Sequence, residues 1–471
     1  MLFNSLSFIV FLVIVLVLYY ANIFSWNNRK RILLLASYIF YGLWNPPLVI
    51  LLWISTIVDY TAGKKLAVEE RQGKRKLWLL LSMVVNLGFL AFFKYGNFLL
   101  ENFTLVMSSI GLDYEALPMD IILPMGISFY TFQTMSYTID LYKKKIQPAR
   151  TFLDFALYVT FFPQLVAGPI VRAQDLITQF YEEKKATTQQ FIWGFFLLTI
   201  GLFQKVVLAD TLLSGTADKI FGSKSILHGL DAWTGTLAFS GQIFFDFAGY
   251  STCAIGIALM LGIILPDNFK YPYASIGFSD LWKRWHISLS TWLRDYLYIP
   301  LGGNKHGITR LYVALMITML LGGLWHGAAW TFVIWGALHG LYLVAERVLK
   351  QRIHIKINAF NGVLFALLTY ILVNFTWVFF RAREFSTAKN MISSMFFMNP
   401  DGDKILQSFD IIKVLVLISL LFICHWIMRK SSLKEMSHKI SPLILGVTWA
   451  IMIFLISISQ GHSEQFIYFQ F

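Results

Sequence analysis

Residues 6–20 read LSFIVFLVIVLVLYY and residues 414–427 read VLVLISLLFICHWI, and neither stretch contains a single Asp, Glu, Lys or Arg. Ile32–Trp44 and Leu77–Phe93 have the same character. Such runs are too long and too poor in charge to be buried helices of a soluble protein, and lipid is their natural solvent. The whole chain agrees. Its 471 residues are 57% hydrophobic, 17% aromatic and 14% charged, with a mean hydropathy of +0.62, whereas a soluble domain carries about 25% charged residues. With about 20 apolar residues needed per crossing, the runs give roughly eleven transmembrane helices, plus re-entrant or interfacial segments. The fold expected is all-α, a polytopic integral membrane protein.

Leu6–Tyr20 has no basic segment before it and no small-residue cleavage site after it, so it reads as a retained first span. The net charge of +13 would suggest nucleic acid in a soluble domain. Here the basic residues sit in short connections, at 29–31, 64–76, 143–145, 347–356 and 429–430, where the positive-inside rule accounts for them and no nucleic acid is needed. Those connections are expected on the cytoplasmic side. Asn45-Pro46-Pro47, the acidic interval from Glu101 to Asp120 and the N-terminus are then expected outside. The two cysteines, Cys253 and Cys424, lie in apolar runs and support no disulfide framework or thiolate metal site; both read as buried small hydrophobes. With no Gly/Ser linker, low-complexity tract or repeat, residues 1–471 are expected to form one membrane domain.

From about Pro124 to His339 the character changes. Leu123-Pro124-Met125-Gly126, residues 161–169 (FFPQLVAGP) and Gly302-Gly303-Asn304 combine apolar residues with helix breakers. Irregular backbone at membrane depth survives only where protein or a water-filled cavity satisfies it, so these are either walls of a cavity or turns between spans. Asp140, Lys205, Asp210, Asp246, His286, His326 and His339 lie in or beside apolar runs and are functional candidates by their cost in lipid. Lys205 and Asp210, five apart, read equally well as a paired or snorkelling charge.

Residues 278–296 (FSDLWKRWHISLSTWLRDY) have helical periodicity: Trp282, Trp285, Leu289, Trp292 and Tyr296 form one stripe bordered by His286. The segment is expected at the interface or dipping in from the cytoplasm, with His286 either a structural or a reacting imidazole. Residues 320–330 (LLGGLWHGAAW) set His326 among glycines and tryptophans, where burial keeps an imidazole neutral, as a general base requires. The glycines would let a substrate approach the backbone. His339 lies thirteen residues on, about 220° around an unbroken helix, so one helix would not present both. Nucleophile-elbow, Walker, zincin and dinucleotide motifs are missing. Ser431-Ser432-Leu433-Lys434 and the sequons at Asn102 and Asn374 read as chance.

The chain resembles the membrane-bound O-acyltransferase family, in its bacterial alginate O-acetyltransferase membrane-subunit branch. The match is carried nearly end to end, by residues 36–41 (ASYIFY), 93–95 (FKY), 123–130 (LPMGISFY), 168–172 (GPIVR), 245–251 (FDFAGYS), 284–296 (RWHISLSTWLRDY), 322–327 (GGLWHG), 377–381 (WVFFR) and 468–471 (YFQF). The resemblance implies a helical ring around a central funnel. It makes His326 the histidine essential for transfer and His286 the second tunnel histidine, and Asp246, Trp285, Ser288, Asp295, Trp325 and His339 are taken as tunnel-lining or supporting residues. It also implies a cytoplasmic acyl thioester donor such as acetyl-CoA, with no bound cofactor or metal, and a polysaccharide acceptor that is alginate-like, cellulose or peptidoglycan. The location implied is a bacterial cell membrane, in contact with lipid. A separate periplasmic or extracellular SGNH-esterase-like partner is expected, since no serine-hydrolase domain is present here. Two other readings stay open at this level: a transporter or flippase of a polar solute with the histidines as proton carriers, and an acyltransferase for protein or lipid acceptors.

Overall fold

The computed structural model describes residues 1–471 except Leu2, Glu115, Ala116, Ala167, His354, Ile355, residues 463–465 and residues 468–471. The closing 468–471 motif and Ala167 of the 161–169 stretch thus lie outside the described residues. The described chain is helical throughout, and its one β-bridge, Leu227 to Asp403, is isolated. Among the described residues, eight helices are long and apolar enough to cross a membrane, and Leu6–Tyr20 and Pro442–Ile458 are shorter apolar helices. The count of eleven is therefore not reached by helices of spanning length. One reason is that the central apolar stretches are cut into short pieces such as Phe152–Thr160 and Phe162–Leu165. Large apolar side chains such as Leu6, Val13, Val17, Leu443 and Phe454 face outward, as lipid-facing side chains do in a polytopic membrane protein. Cys253 is buried, but Cys424 is exposed on the Ser408–Met428 helix, correcting the expectation that both are interior. An outward face that meets hydrocarbon is as apolar as a core, so composition alone does not separate the two.

The chain forms two compact units, Met1–Leu198 with Cys253–Pro266, and Thr199–Thr252 with Asp267–Phe471. The first holds buried polar groups that the apolar pattern conceals. Asp59 on Val49–Val68 is fully buried and accepts Ser82 Oγ at 2.5 Å and Asn86 Nδ2 at 2.9 Å from Gln72–Ser109. Asn86 Oδ1 accepts Ser55 Oγ at 2.7 Å and Thr134 Oγ1 at 3.2 Å. Buried Lys30 pairs with Asp154. Arg75 donates to the carbonyls of Leu66, Glu69, Leu141 and Tyr142 and so closes two helix C-termini. Two of the helix-breaking stretches meet here. Gly126 has φ +72, and a Cβ on it would lie 2.4 Å from the Leu165 carbonyl. Gln133 and Gln164 both donate to the Tyr158 carbonyl, and Tyr158 Oη donates to the Gln133 and Val171 carbonyls. These breaks are protein-buried backbone rather than surface turns. Gly302-Gly303, by contrast, is a turn, with φ of 120 and 49.

In the second unit a π-helical stretch, Phe203–Ser214, brings Lys205 and Asp210 together at 2.8 Å. Residues five apart diverge by about 140° on an α-helix, whereas the wider π turn aligns them. Lys205 also meets Asp246 of the Gly229–Met260 helix at 2.6 Å, and all three are at most 5% exposed. The charges are paired in the interior and do not snorkel. The Ile308–His326 and Trp330–Arg352 helices form a hairpin packed backbone to backbone. A Cβ on Gly323 would lie 2.3 Å from the Phe332 carbonyl, and one on Gly336 would lie 2.3 Å from the Met319 carbonyl. Small residues permit that approach where hydrocarbon supplies no hydrophobic drive between helices.

Candidate active site

The segment carrying His286 is not one helix. Phe278–Leu281 and Ile287–Leu293 are separate short helices, and Arg294–Tyr298 is a π turn. The break falls at His286 itself, in the left-handed region at φ 42, ψ 56, which costs a non-glycine residue on the order of 1–2 kcal/mol. The cost is offset by bonds from outside the segment. Asn268 accepts the Ile287 N–H through its carbonyl at 2.9 Å and the Ser288 N–H through Oδ1 at 3.3 Å. Lys270 N–H donates to the Arg284 carbonyl at 2.8 Å. The aromatic stripe survives the break in part: Trp285, Leu289 and Trp292 are buried, while Trp282 and Tyr296 are partly exposed.

Asn268 also fixes the imidazole. Its Oδ1 lies 3.1 Å from His286 Nδ1 and 2.9 Å from Ser288 Oγ, and its Nδ2 donates to Ser251 Oγ at 3.1 Å. An amide oxygen only accepts, so His286 Nδ1 carries the proton and Nε2 is the basic nitrogen. The ring stands edge-on to Phe247 at 4.6 Å. It is fully buried, in the connection between spanning helices, and burial pushes its pKa down to about 3, which keeps it neutral. The spacing of the motif gives no sign of Asn268, eighteen residues upstream, because a contact across a loop follows no period.

His326 ends the Ile308–His326 helix and is 2% exposed. Trp325, Trp335 and Phe380 surround it with ring centroids at 5.0, 4.9 and 5.2 Å. Trp325 also lies 5.8 Å from His286, so the two histidines share one indole as a wall. The nearby glycines do not admit a substrate as expected: a Cβ on Gly327 would strike the Phe332 ring at 2.1 Å, and Gly323 is filled by the neighbouring helix. The angular objection to His339 also falls. The chain turns at residues 327–329, and the second helix brings His339 to 4.5 Å from Trp335, the ring that also meets His326. Trp285, beside His286, packs on Trp377 at 5.1 Å. Asp246 is turned to Lys205 and to the Ile467 N–H at 2.7 Å, and the next residue, Phe247, is the one that meets His286. Asp295 accepts from the adjacent Arg294 at 2.7 Å. Among the described residues no three His, Cys, Asp or Glu are gathered as a metal ion would need.

Buried imidazoles with tryptophan walls suit proton transfer in an acyl exchange. The comparison with known proteins decides the class. Residues 146–381, which contain every one of these site residues, match the model of the membrane-bound O-acyltransferase family. The chain belongs to that family. It is thus an acyltransferase, as the sequence motifs implied. Among similar curated proteins, a probable alginate O-acetylase of Pseudomonas putida is 44% identical over 84% of this chain and 80% of its own length. A peptidoglycan O-acetyltransferase of Helicobacter pylori is 38% identical over 79% of this chain and 74% of its own. A teichoic acid D-alanyltransferase of Bacillus subtilis is 26% identical over 57% of this chain and 71% of its own. All three relatives are named for the transfer of an acyl group to a polymer.

Proposed function

We propose that this chain, acting over residues 1–471 as one membrane domain, moves acetyl groups from a cytoplasmic thioester across a bacterial inner or plasma membrane for O-acetylation of an envelope polysaccharide. The supporting names are those of the alginate and peptidoglycan relatives. The observation that carries the chemistry is the pair of buried imidazoles, His286 and His326, held against one indole, Trp325.

In this reading His326 takes the proton of the attacking hydroxyl, the oxygen bonds to the thioester carbon, and the C–S bond breaks. The departing thiolate then receives the proton from His326. His286, locked by Asn268 with Nε2 basic, assists or orients the acceptor. Trp325 walls the two rings, Ser288 shares the Asn268 oxygen with His286, Trp285 packs beside the site on Trp377, and Asp246 anchors the helix that bears Phe247. Asp295 and His339 support the site. The final acceptor is reached through an SGNH-esterase-like partner outside the membrane.

The test is polysaccharide-bound acetate, released by mild base from a deletion strain complemented at matched membrane expression. Wild type restores acetate, while His326→Ala loses about 100-fold or more, the scale of a missing general base. Full acetate with His326→Ala would remove His326 from the chemistry. The level with His286→Ala then grades the role of the second imidazole.

A further inference from the structure

The Gln72–Ser109 helix outruns its neighbours. It has 38 residues, roughly 57 Å at 1.5 Å each, against a hydrocarbon core of about 30 Å. The buried network fixes its level. Ser82 and Asn86 donate to Asp59, and Asn86 accepts from Ser55, both on the Val49–Val68 helix. The same two residues meet Thr138 at 3.0 Å and Thr134 at 3.2 Å on Ile127–Tyr142. Both neighbours run antiparallel to the long helix, so counting on from these contacts brings their first residues, Val49 and Ile127, level with about residue 93. The 20 residues of Val49–Val68 match the hydrocarbon thickness, and Lys94 and Tyr95, residue types of the membrane interface, come next. The remaining residues of the helix, about 16 of them, rise roughly 24 Å beyond, on the side opposite the basic 64–76 and 143–145 connections.

This projecting arm keeps an apolar face. Leu99, Phe103, Val106 and, at the C-cap, Ile110 recur at i, i+4, i+7 and i+11, and each is between 48% and 62% exposed. They continue the outward stripe of the spanning part, Leu77, Leu81, Val84 and Phe92. The return segment packs along the arm and leaves the stripe open. Asn97 exchanges two hydrogen bonds with the backbone of Met119, at 2.9 and 3.0 Å, and Phe103 meets Tyr114 at 5.5 Å. Residues 96–126 hold four acidic residues and no Lys, Arg or His. Glu101, Asp113 and Asp120 are exposed.

We propose that this arm is the docking site for a protein outside the membrane whose surface sets an apolar groove between Lys and Arg side chains. A helix that presents anchors at i, i+4 and i+7 fills such a groove with its apolar face, and the acidic residues around it pair with a basic rim. The same charge selects against other occupants. Anionic lipid headgroups, a polyanionic polymer and the arm of a second copy are all repelled, and the stripe stands above the hydrocarbon that covers its continuation below. In the acyl-transfer reading, on which this rests, the protein seated there carries the acyl group on to the polysaccharide.

The experiment places the photo-crosslinker benzoylphenylalanine at Val106 of the full chain in cells, with Val84 of the spanning part as the lipid-facing control. Val106 should give an adduct with one water-soluble protein from outside the membrane, identified by mass spectrometry, and Val84 should give none. Glu101→Lys, Asp113→Lys and Asp120→Lys together should remove that adduct. They should also lower polysaccharide-bound acetate by about tenfold or more at matched membrane expression, as loss of steering by rim charges predicts. The neutral set, Glu101→Gln, Asp113→Asn and Asp120→Asn, should fall between. No protein adduct at Val106, an adduct only with lipid or with another copy of this chain, or one that survives charge reversal would overturn the docking site; so would acetate unchanged by the lysine set. A charge-dependent protein adduct in cells where wild type itself restores no acetate would instead overturn the acyl-transfer reading and leave the docking site standing.

Discussion

Two buried polar clusters sit among apolar helices in this chain, and they are built on opposite principles. Around Asp59 the network closes on itself: Ser82, Asn86, Ser55 and Thr134 supply and accept one another's hydrogen bonds within the first unit. Around His326 and His339 the walls are indole and phenyl rings, and polar atoms of His339, Trp282 and Trp335 find no partner among the described residues. A satisfied network stabilises one arrangement, whereas buried polar atoms left without partners raise the cost of theirs.

The comparison breaks most visibly at Asp59. Asp59→Ala leaves Ser82 and Asn86 buried without their acceptor, and should lower stability by about 2–3 kcal/mol, read as a lower midpoint of thermal unfolding in detergent. Transfer per folded molecule should be unchanged; a loss of turnover at normal stability would make Asp59 part of the chemistry. A smaller effect is expected at Asn268. Asn268→Leu removes the acceptor that fixes the His286 tautomer, and transfer should fall about tenfold, one hydrogen bond's worth, with unfolding shifted less than for Asp59→Ala.

The smallest effect concerns Asp280, outside the spans. Burial raises its pKa, but donors from Arg429 at 2.6 Å, the Ile276 N–H at 3.0 Å and Arg284 at 2.9 Å outweigh burial and hold the carboxyl below its ordinary range. A folded pKa below the unfolded one stabilises at pH above the ordinary carboxylate range, and that stability is lost as pH falls through the folded value. Asp280→Asn should therefore lower the unfolding midpoint slightly near neutral pH. The gap to wild type should close in acid, and a gap that widens in acid would reverse the assignment.

Much of the site was legible because its residues are chemically conspicuous. A histidine between tryptophans and glycines in an apolar run stands out wherever it occurs, and His286 and His326 with the adjacent Trp285 and Trp325 are all buried in the second unit. Asp59, Lys30 and Arg75 did not stand out. Asp59 is one acid in a long apolar run, and Lys30 and Arg75 sit in basic clusters that read as surface markers, although all three are buried. The helical stripe over residues 278–296 was legible as a pattern and misleading as a structure. Periodicity reports which side chains share a face, and a single residue at φ 42 can reset the chain while several of them remain buried.

By itself the sequence determined the solvent, the helical class and the family, because those depend on composition, run length and motif identity, which are properties of the chain in one dimension. Tertiary structure decided which polar groups are spent on one another and which are kept. Asn268 holding His286, the hairpin that sets both His326 and His339 against Trp335, and the π turn that closes Lys205 onto Asp210 all join atoms by distance in space. Hydrogen bonds and ring contacts act over a few ångströms, and no spacing along the chain encodes them.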